Sequence, residues 1–204
     1  MLIIGLTGSL GMGKSTAAEY LRSRGLPVFD ADAAVHALYE GAAVPFIERE
    51  FPGTTSQGKV DRGKLGAAVT RNPERLAALE AIVHPLVREA ESGFLKKEAT
   101  RGTRMAVLEI PLLFETSADA KVDATIVVSA SAELQRQRLM KRPGMSPEKL
   151  ESLLARQMPD AQKRTRADFV VDTTGEITAS RAALDAIIAN LEHREGRAFV
   201  EFWA

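Results

Sequence analysis

The chain opens on a continuous apolar block, Leu2-Ile3-Ile4-Gly5-Leu6-Thr7, with no alternation of polar and apolar positions. Such a short β-branched and aliphatic block, closed by glycines, predicts a strand covered on both faces. The period then changes. From Lys14 to Arg24, Ala17, Ala18 and Leu21 fall along one side with charge on the other, which predicts a helix stopped by Gly25 and Pro27. Pro27 to Asp30 predicts a second short strand, and Met105 to Leu108, Ala124 to Val128 and Phe169 to Val171 predict three more. Helical patterns lie between them, and that β/α alternation predicts a parallel sheet. The interval from Asp32 to Thr103 contains no convincing strand. Asn72-Pro73-Glu74 instead starts a helix ahead of Leu76, Leu79, Ile82, Val83 and Leu86, so this interval reads as a helical insertion. A second polar segment, Ala132 to Arg166, is rich in arginine and turns at Pro143-Gly144 before the cap signal Ser146-Pro147-Glu148. An amphipathic helix at about Ile177 to Leu191 precedes a tail holding Phe199, Phe202 and Trp203, which is expected to pack on the body.

A length of 204 residues suits one well-cored domain with a modest insertion. Lysine plus arginine and aspartate plus glutamate each number 27, so no global field exists to hold nucleic acid or anionic lipid. Any basic site must be local. The absence of cysteine excludes disulfides, thiolate nucleophiles and cysteine-ligated zinc or iron–sulfur sites. Leu2 to Leu6 lacks a basic n-region and meets glycines too soon for a signal peptide. Met105 to Phe114 is interrupted by Glu109 and Pro111, whereas a membrane span needs ~20 apolar residues. The expectation is a soluble, cytoplasmic protein with a small-molecule partner, bound to neither membrane nor nucleic acid, and a monomer or small homo-oligomer. His36, His84 and His193 are too scattered for a metal-ligand pattern.

Gly8-Ser9-Leu10-Gly11-Met12-Gly13-Lys14-Ser15 satisfies G-x-x-x-x-G-K-[ST], the P-loop or Walker A pattern, where the motif needs to be: between a buried strand and a helix. Backbone N–H groups must point inward around phosphate oxygens, in conformations that side chains obstruct. Gly8, Gly11, Met12, Gly13, Lys14, Ser15 and Thr16 are therefore the expected nucleotide-binding residues. Lys14, read as exposed in the loop, supplies a point charge for the β- and γ-phosphates of ATP, and the Ser15 hydroxyl is a ligand for Mg²⁺. A guanine-nucleotide switch needs Asn-Lys-x-Asp, but the only asparagines are Asn72, followed by proline, and Asn190, followed by leucine. Asp172-Thr173-Thr174-Gly175 spells D-x-x-G, yet lies beyond the last predicted strand and reads as a strand-to-helix turn. A small-molecule kinase remains, with a compact core, a helical acceptor-binding insertion and an arginine-rich lid. Arg138 and Arg142, four apart, would share a helix face and reach a triphosphate, with Arg142 the preferred lid residue. The alternative for both is a solvated basic face shared with Arg136 and Lys141. Asp32 follows the second strand, above the carboxyl edge where open α/β sheets bind ligands, and either Asp30 or Asp32 caps the next helix.

Gly5-Leu6-Thr7-Gly8, the phosphate loop, Asp30-Ala31-Asp32, His84-Pro85-Leu86-Val87, Ile110-Pro111-Leu112-Leu113-Phe114-Glu115, Gln135-Arg136-Gln137-Arg138-Leu139, Gln157 and Ala167-Asp168 resemble, in order and spacing, the motifs of the dephospho-coenzyme A kinase family. The resemblance covers nearly the whole chain. It implies ATP-dependent phosphorylation of the ribose 3′-hydroxyl of dephospho-coenzyme A, the final step of coenzyme A synthesis. The runner-up is a nucleoside monophosphate or other small-molecule P-loop kinase. The implied fold is α/β: a P-loop nucleoside triphosphate hydrolase-type parallel five-stranded sheet flanked by helices. The core would span about 1–31, 104–131 and 167–204, the helical acceptor-binding insertion about 32–103, and the arginine-rich lid about 132–166. By the same resemblance Asp32 is the general base, with Lys14 and Arg142 completing the catalytic set. Asp32, His84, Arg88, Leu112 and Phe114 would face the acceptor; the alternatives are a structural histidine that breaks one helix before the next for His84, a solvated side chain for Arg88, and core packing for Leu112 and Phe114. Glu109 stands where the family usually has aspartate, with a role on Mg²⁺ either direct or through water. Ser9 and Met12 also depart from the family's small residues, at positions that contribute backbone.

Overall fold

Burial on both faces explains why the first apolar block has no alternation: all six residues of the first strand are buried, at the centre of a sheet. The computed structural model describes residues 1–70, 72–155 and 157–204. In chain order the elements are β1 (Leu2–Thr7), α1 (Lys14–Ser23), β2 (Val28–Asp30), α2 (Ala31–Leu38), α3 (Val44–Glu50), β3 (Thr55–Ser56), β4 (Lys59–Val60), α4 (Arg62–Val69), α5 (Pro73–Thr100), β5 (Met105–Glu109), β6 (Ala124–Ser129), α6 (Ala132–Met140), α7 (Pro147–Leu154), α8 (Asp160–Arg166), β7 (Phe169–Asp172) and α9 (Ile177–Leu191). Five strands form one sheet in the order β2-β5-β1-β6-β7. The registers are parallel, with Leu2 opposite Met105, Ile4 opposite Ala124 and Ile126 opposite Phe169. The chain leaves β1 toward β2 on one side and later crosses from β5 to β6 on the other. That reversal opens a crevice at the carboxyl end of β1, where the glycine-rich loop begins.

Residues 1–29 with 95–204 form one compact unit, and 30–94 form a second. In the first, Ile4, Leu6, Val107, Ile126 and Val171 of the sheet pack with Ala18 and Leu21 of α1 and Leu184 and Leu191 of α9. Each such aliphatic side chain contributes about 1.5–3 kcal/mol on burial, which is what seats α1 against the strand that feeds it. Trp203 is buried and donates its indole N–H to the Lys121 carbonyl at 2.9 Å, so it packs on its own unit as expected, whereas Phe202 of the same tail is 49% exposed and does not. In the second unit Ile47, Phe51, Leu65, Leu79 and Val83 form the core, with Val35 and Leu38 of α2 packed against it. No described helix is long and apolar enough to cross a membrane.

Three sequence expectations need correction. The interval from Asp32 to Thr103 does hold strands: β3 and β4 pair antiparallel about Gln57 and Gly58, whose φ values of 52° and 76° make a tight left-handed turn. Strands of two residues are too short to show alternation. Next, α5 does not break at His84-Pro85 but runs through them. Pro85 denies the Ala81 carbonyl its helical donor, yet Ala81 is exposed to water, and Leu79, Val83 and Leu86 hold the same face against the core on either side. Finally, α6 ends at Met140 with Lys141 as its C-cap, so Arg142 does not share a helix face with Arg138. Pro143 disfavours helical backbone at the residue before it, and Arg142 is exposed in the turn.

Candidate nucleotide and acceptor site

The loop after β1 is shaped by close approach. A Cβ on Gly8 would lie 2.5 Å from Val128 Cγ2 and 2.7 Å from the Val128 carbonyl, so β6 tolerates only glycine beside it. Gly13, at φ 90°, occupies the left-handed region just before α1 and brings no side-chain cap to that helix. Among the described residues, the N–H groups of Gly11, Gly13, Lys14 and Ser15 donate to no protein acceptor. These are orphan donors at a helix N-terminus, where the partial positive charge of the helix also gathers. Ser15 and Thr16 are exposed in the first turn. Met12, by contrast, turns its side chain into the core, where its sulfur accepts the Ala130 N–H at 3.0 Å.

Lys14 is not the free loop cation expected from the motif. Its side chain is only 13% exposed, and its ammonium lies 2.8 Å from Glu109 Oε1 at the end of β5. Glu109 is 2% exposed, and its other oxygen lies 3.4 Å from the Arg22 guanidinium. A carboxylate so far out of water needs these cations. Its extra methylene relative to aspartate gives it reach toward Lys14.

Several side chains that approach the loop had no role in the motif reading. Gln135 donates to the Leu10 carbonyl at 2.7 Å, and Gln157 accepts the Leu10 N–H at 3.0 Å. Thr173 donates its hydroxyl to the Met12 carbonyl at 2.8 Å. Arg138 reaches the Gly11 carbonyl at 3.4 Å and the Thr173 carbonyl at 2.8 Å, so it lies on the loop rather than on a solvated face. Arg136 is the outward member of that run, paired with Glu151 at 3.0 Å. The two glutamines were visible as letters of the family resemblance, and Thr173 as the second letter of D-x-x-G. Beside it, the Thr174 hydroxyl and N–H hold the Asp172 carboxyl below the usual carboxylate range.

Within the expected lid interval, α8 is tied to the sheet. Buried Lys163 lies 2.9 Å from Glu115, which also accepts the Met158 N–H, and Ser129 donates to Asp160 at 2.7 Å. Arg166 pairs with Asp119 at 2.7 Å and stacks its guanidinium 4.7 Å from the Phe114 ring centroid. Phe114 is consequently buried in its own unit rather than on an open wall, while its neighbour Leu112 is 38% exposed.

In the second unit, Asp30 is the helix cap: its carboxylate accepts the Ala33 N–H at 2.9 Å. Asp32 is therefore free of the capping task and stands exposed in the first turn of α2. Among the described residues no hydrogen bond joins it to His36, one turn further on. His84 and Arg88 are both exposed and lie one turn apart on α5.

The dephospho-CoA kinase family model matches residues 2–179. A dephospho-CoA kinase of Mesorhizobium japonicum is 52% identical over 196 residues, covering 96% of this chain and 100% of its own. Among solved structures, TT1252 from Thermus thermophilus superposes with a TM-score of 0.80 at 41% identity, over 93% of this chain and 97% of that one. A dephospho-CoA kinase from Campylobacter jejuni gives 0.64 at 26% identity, over 93% and 96%.

Proposed function

The chain belongs to the dephospho-CoA kinase family, and from that premise we propose how its residues divide the reaction. It is a kinase that transfers the γ-phosphoryl group of ATP to the ribose 3′-hydroxyl of dephospho-coenzyme A, giving coenzyme A and ADP. The bond from the γ-phosphorus to the ADP oxygen breaks as the bond to the 3′-oxygen forms, and the hydroxyl proton leaves. The observation that carries this assignment of roles is the set of N–H groups at Gly11, Gly13, Lys14 and Ser15, around the start of α1, which have no protein acceptor among the described residues. They cradle the phosphates, while the Lys14 ammonium turns from Glu109 toward the β- and γ-oxygens as negative charge arrives. Asp32 orients the ribose hydroxyl and takes its proton, since its carboxylate is not spent on capping. Arg142 holds phosphoryl oxygens with its planar fork, and His84 and Arg88 receive the acceptor's own phosphates, with Leu112 as an apolar contact.

Mg²⁺ fits this site through the exposed hydroxyl of Ser15. Glu109, buried and engaged by Lys14, suits it through water rather than directly. When bound, the ion draws charge from the β- and γ-phosphate oxygens. The partners in this reading are small molecules in the cytoplasm, and the working form is a monomer or small homo-oligomer.

ADP release measured with dephospho-coenzyme A, nucleoside monophosphates and shikimate as acceptors tests the reading. Dephospho-coenzyme A should dominate; a preferred nucleoside monophosphate would overturn it.

A further inference from the structure

A trans peptide carries its carbonyl and the next residue's N–H on opposite edges of one plane. Holding the carbonyl on one side therefore aims the N–H at the other. This matters in the phosphate loop, where the Leu10 carbonyl shares a plane with the Gly11 N–H and the Met12 carbonyl with the Gly13 N–H. Both N–H groups lack a protein acceptor among the described residues. Both carbonyls are held from outside the loop, by Gln135 at 2.7 Å and Thr173 at 2.8 Å. The intervening plane behaves differently: its Met12 N–H is used within the loop, on the Ser9 carbonyl at 3.1 Å, and among the described residues its Gly11 carbonyl has only the longer 3.4 Å contact from Arg138. The two short side-chain contacts thus fall on the two planes ahead of α1 whose N–H groups, at Gly11 and Gly13, are open among the described residues, while the open Lys14 and Ser15 N–H groups belong to the helix itself.

We propose that Gln135 and Thr173 are positioning residues for phosphate binding, fixing the Leu10–Gly11 and Met12–Gly13 peptide planes so that the Gly11 and Gly13 N–H groups face the nucleotide's phosphates before it arrives. The proposal rests on the kinase reading above. Neither residue needs to touch ATP. A purely structural role is poorly suited to either. The backbone of Thr173 already closes the turn after β7 by donating to the Ser129 carbonyl at 2.7 Å, and its hydroxyl lies nearer the Met12 carbonyl, at 2.8 Å, than the Ser129 carbonyl, at 3.2 Å. Gln135 is buried, and an apolar side chain would fill the same space without an amide to satisfy. Gln157 fixes the preceding plane from its other edge, accepting the Leu10 N–H while the Ser9 carbonyl accepts the Met12 N–H.

The test is ATP binding by titration calorimetry, with dephospho-coenzyme A binding and melting temperature measured beside it. Thr173→Val keeps the shape and removes the donor; Gln135→Met does the same by a different route. Each should weaken ATP binding about three- to tenfold, the worth of one such hydrogen bond, and raise the KM for ATP more than it lowers kcat. Dephospho-coenzyme A affinity should stay within about twofold, and Thr173→Ser should bind ATP within about twofold of the parent chain. ATP affinity unchanged in both variants would overturn the proposal, as would a serine variant as weak as the valine one. Should Thr173→Val fail to melt cooperatively, Gln135→Met decides alone. The ATP titration needs no acceptor. A parent chain that binds ATP without phosphorylating dephospho-coenzyme A would sink the functional reading, while the titration would still judge the two positioning residues.

Discussion

Removing the P-loop lysine should destabilise this protein as well as inactivate it. In a loop where the lysine faces water, Lys14→Ala would leave the fold intact. Here Glu109 is 2% exposed and depends on Lys14 at 2.8 Å and Arg22 at 3.4 Å. Taking one partner from a buried ion pair costs about 3–5 kcal/mol when the remaining charge has no other support. Arg22 supplies part of that support from a longer distance, so about 2 kcal/mol is the working figure for the loss. A chain of this length loses about 2–4 °C of melting temperature per kcal/mol, which predicts a drop of about 4–8 °C. The decisive variant is the double one, Lys14→Ala with Glu109→Gln. A neutral amide no longer needs the ammonium, so the double variant should recover at least half of the lost melting temperature while remaining inactive. Calorimetric melts of the single and double variants check this. A Lys14→Ala protein melting within about 1 °C of its parent would refute the argument, because the carboxylate would then be stable without its nearest cation.

Asp32→Asn should lower kcat about 100-fold or more with ATP affinity and melting temperature near the parent values, because Asp30 rather than Asp32 caps α2; full activity would mean that another group orients the hydroxyl. Arg142→Lys keeps the charge and loses the fork, so steady-state kinetics should show kcat falling more than ATP affinity, and unchanged kcat and KM would leave Arg142 as a solvated residue of the turn. Asp172, held ionised by Thr174, contributes stability above the ordinary carboxylate range and loses it as pH falls through the lowered folded value. Asp172→Asn should therefore melt below the parent at pH 7, with the gap closing as a series of melts is taken below the ordinary carboxylate range; a gap independent of pH would refute the ionic contribution.

What could be read from the sequence was whatever a short stretch of chain decides for itself. The doubly buried β1, the start of α1 and the phosphate loop each need particular residue types at adjacent positions, so the letters Leu2 to Ser15 carry both the fold cue and the chemistry. The Asn72-Pro73-Glu74 start of α5 was legible for the same reason. Less was legible where a distant residue decides. Glu109 is 95 positions from Lys14, and Thr173 is 161 from Met12; no periodicity links either pair. The shared helix face of Arg138 and Arg142 fails for a local reason: α6 ends at Met140, ahead of Pro143, which disfavours helical backbone at Arg142. Gln57-Gly58 turns as Asn-Gly would, without the asparagine that usually announces such a hairpin.

The loop's binding geometry and its charge are held by separate parts of the fold. Gln135 and Thr173 reach the loop from α6 and from the turn after β7, and act on the orientation of peptide planes. Glu109 and Arg22 act on where the Lys14 ammonium rests, from β5 and α1. A triphosphate must compete with Glu109 for that ammonium, and the competition would be unfavourable if it left the buried carboxylate alone. Arg22, already against the other oxygen, keeps a cation beside Glu109 when Lys14 turns away. In the proposed reaction the transfer of Lys14 from carboxylate to phosphate would then exchange one ionic partner for another, instead of breaking an ion pair outright, and a P-loop lysine buried against glutamate would remain available to ATP.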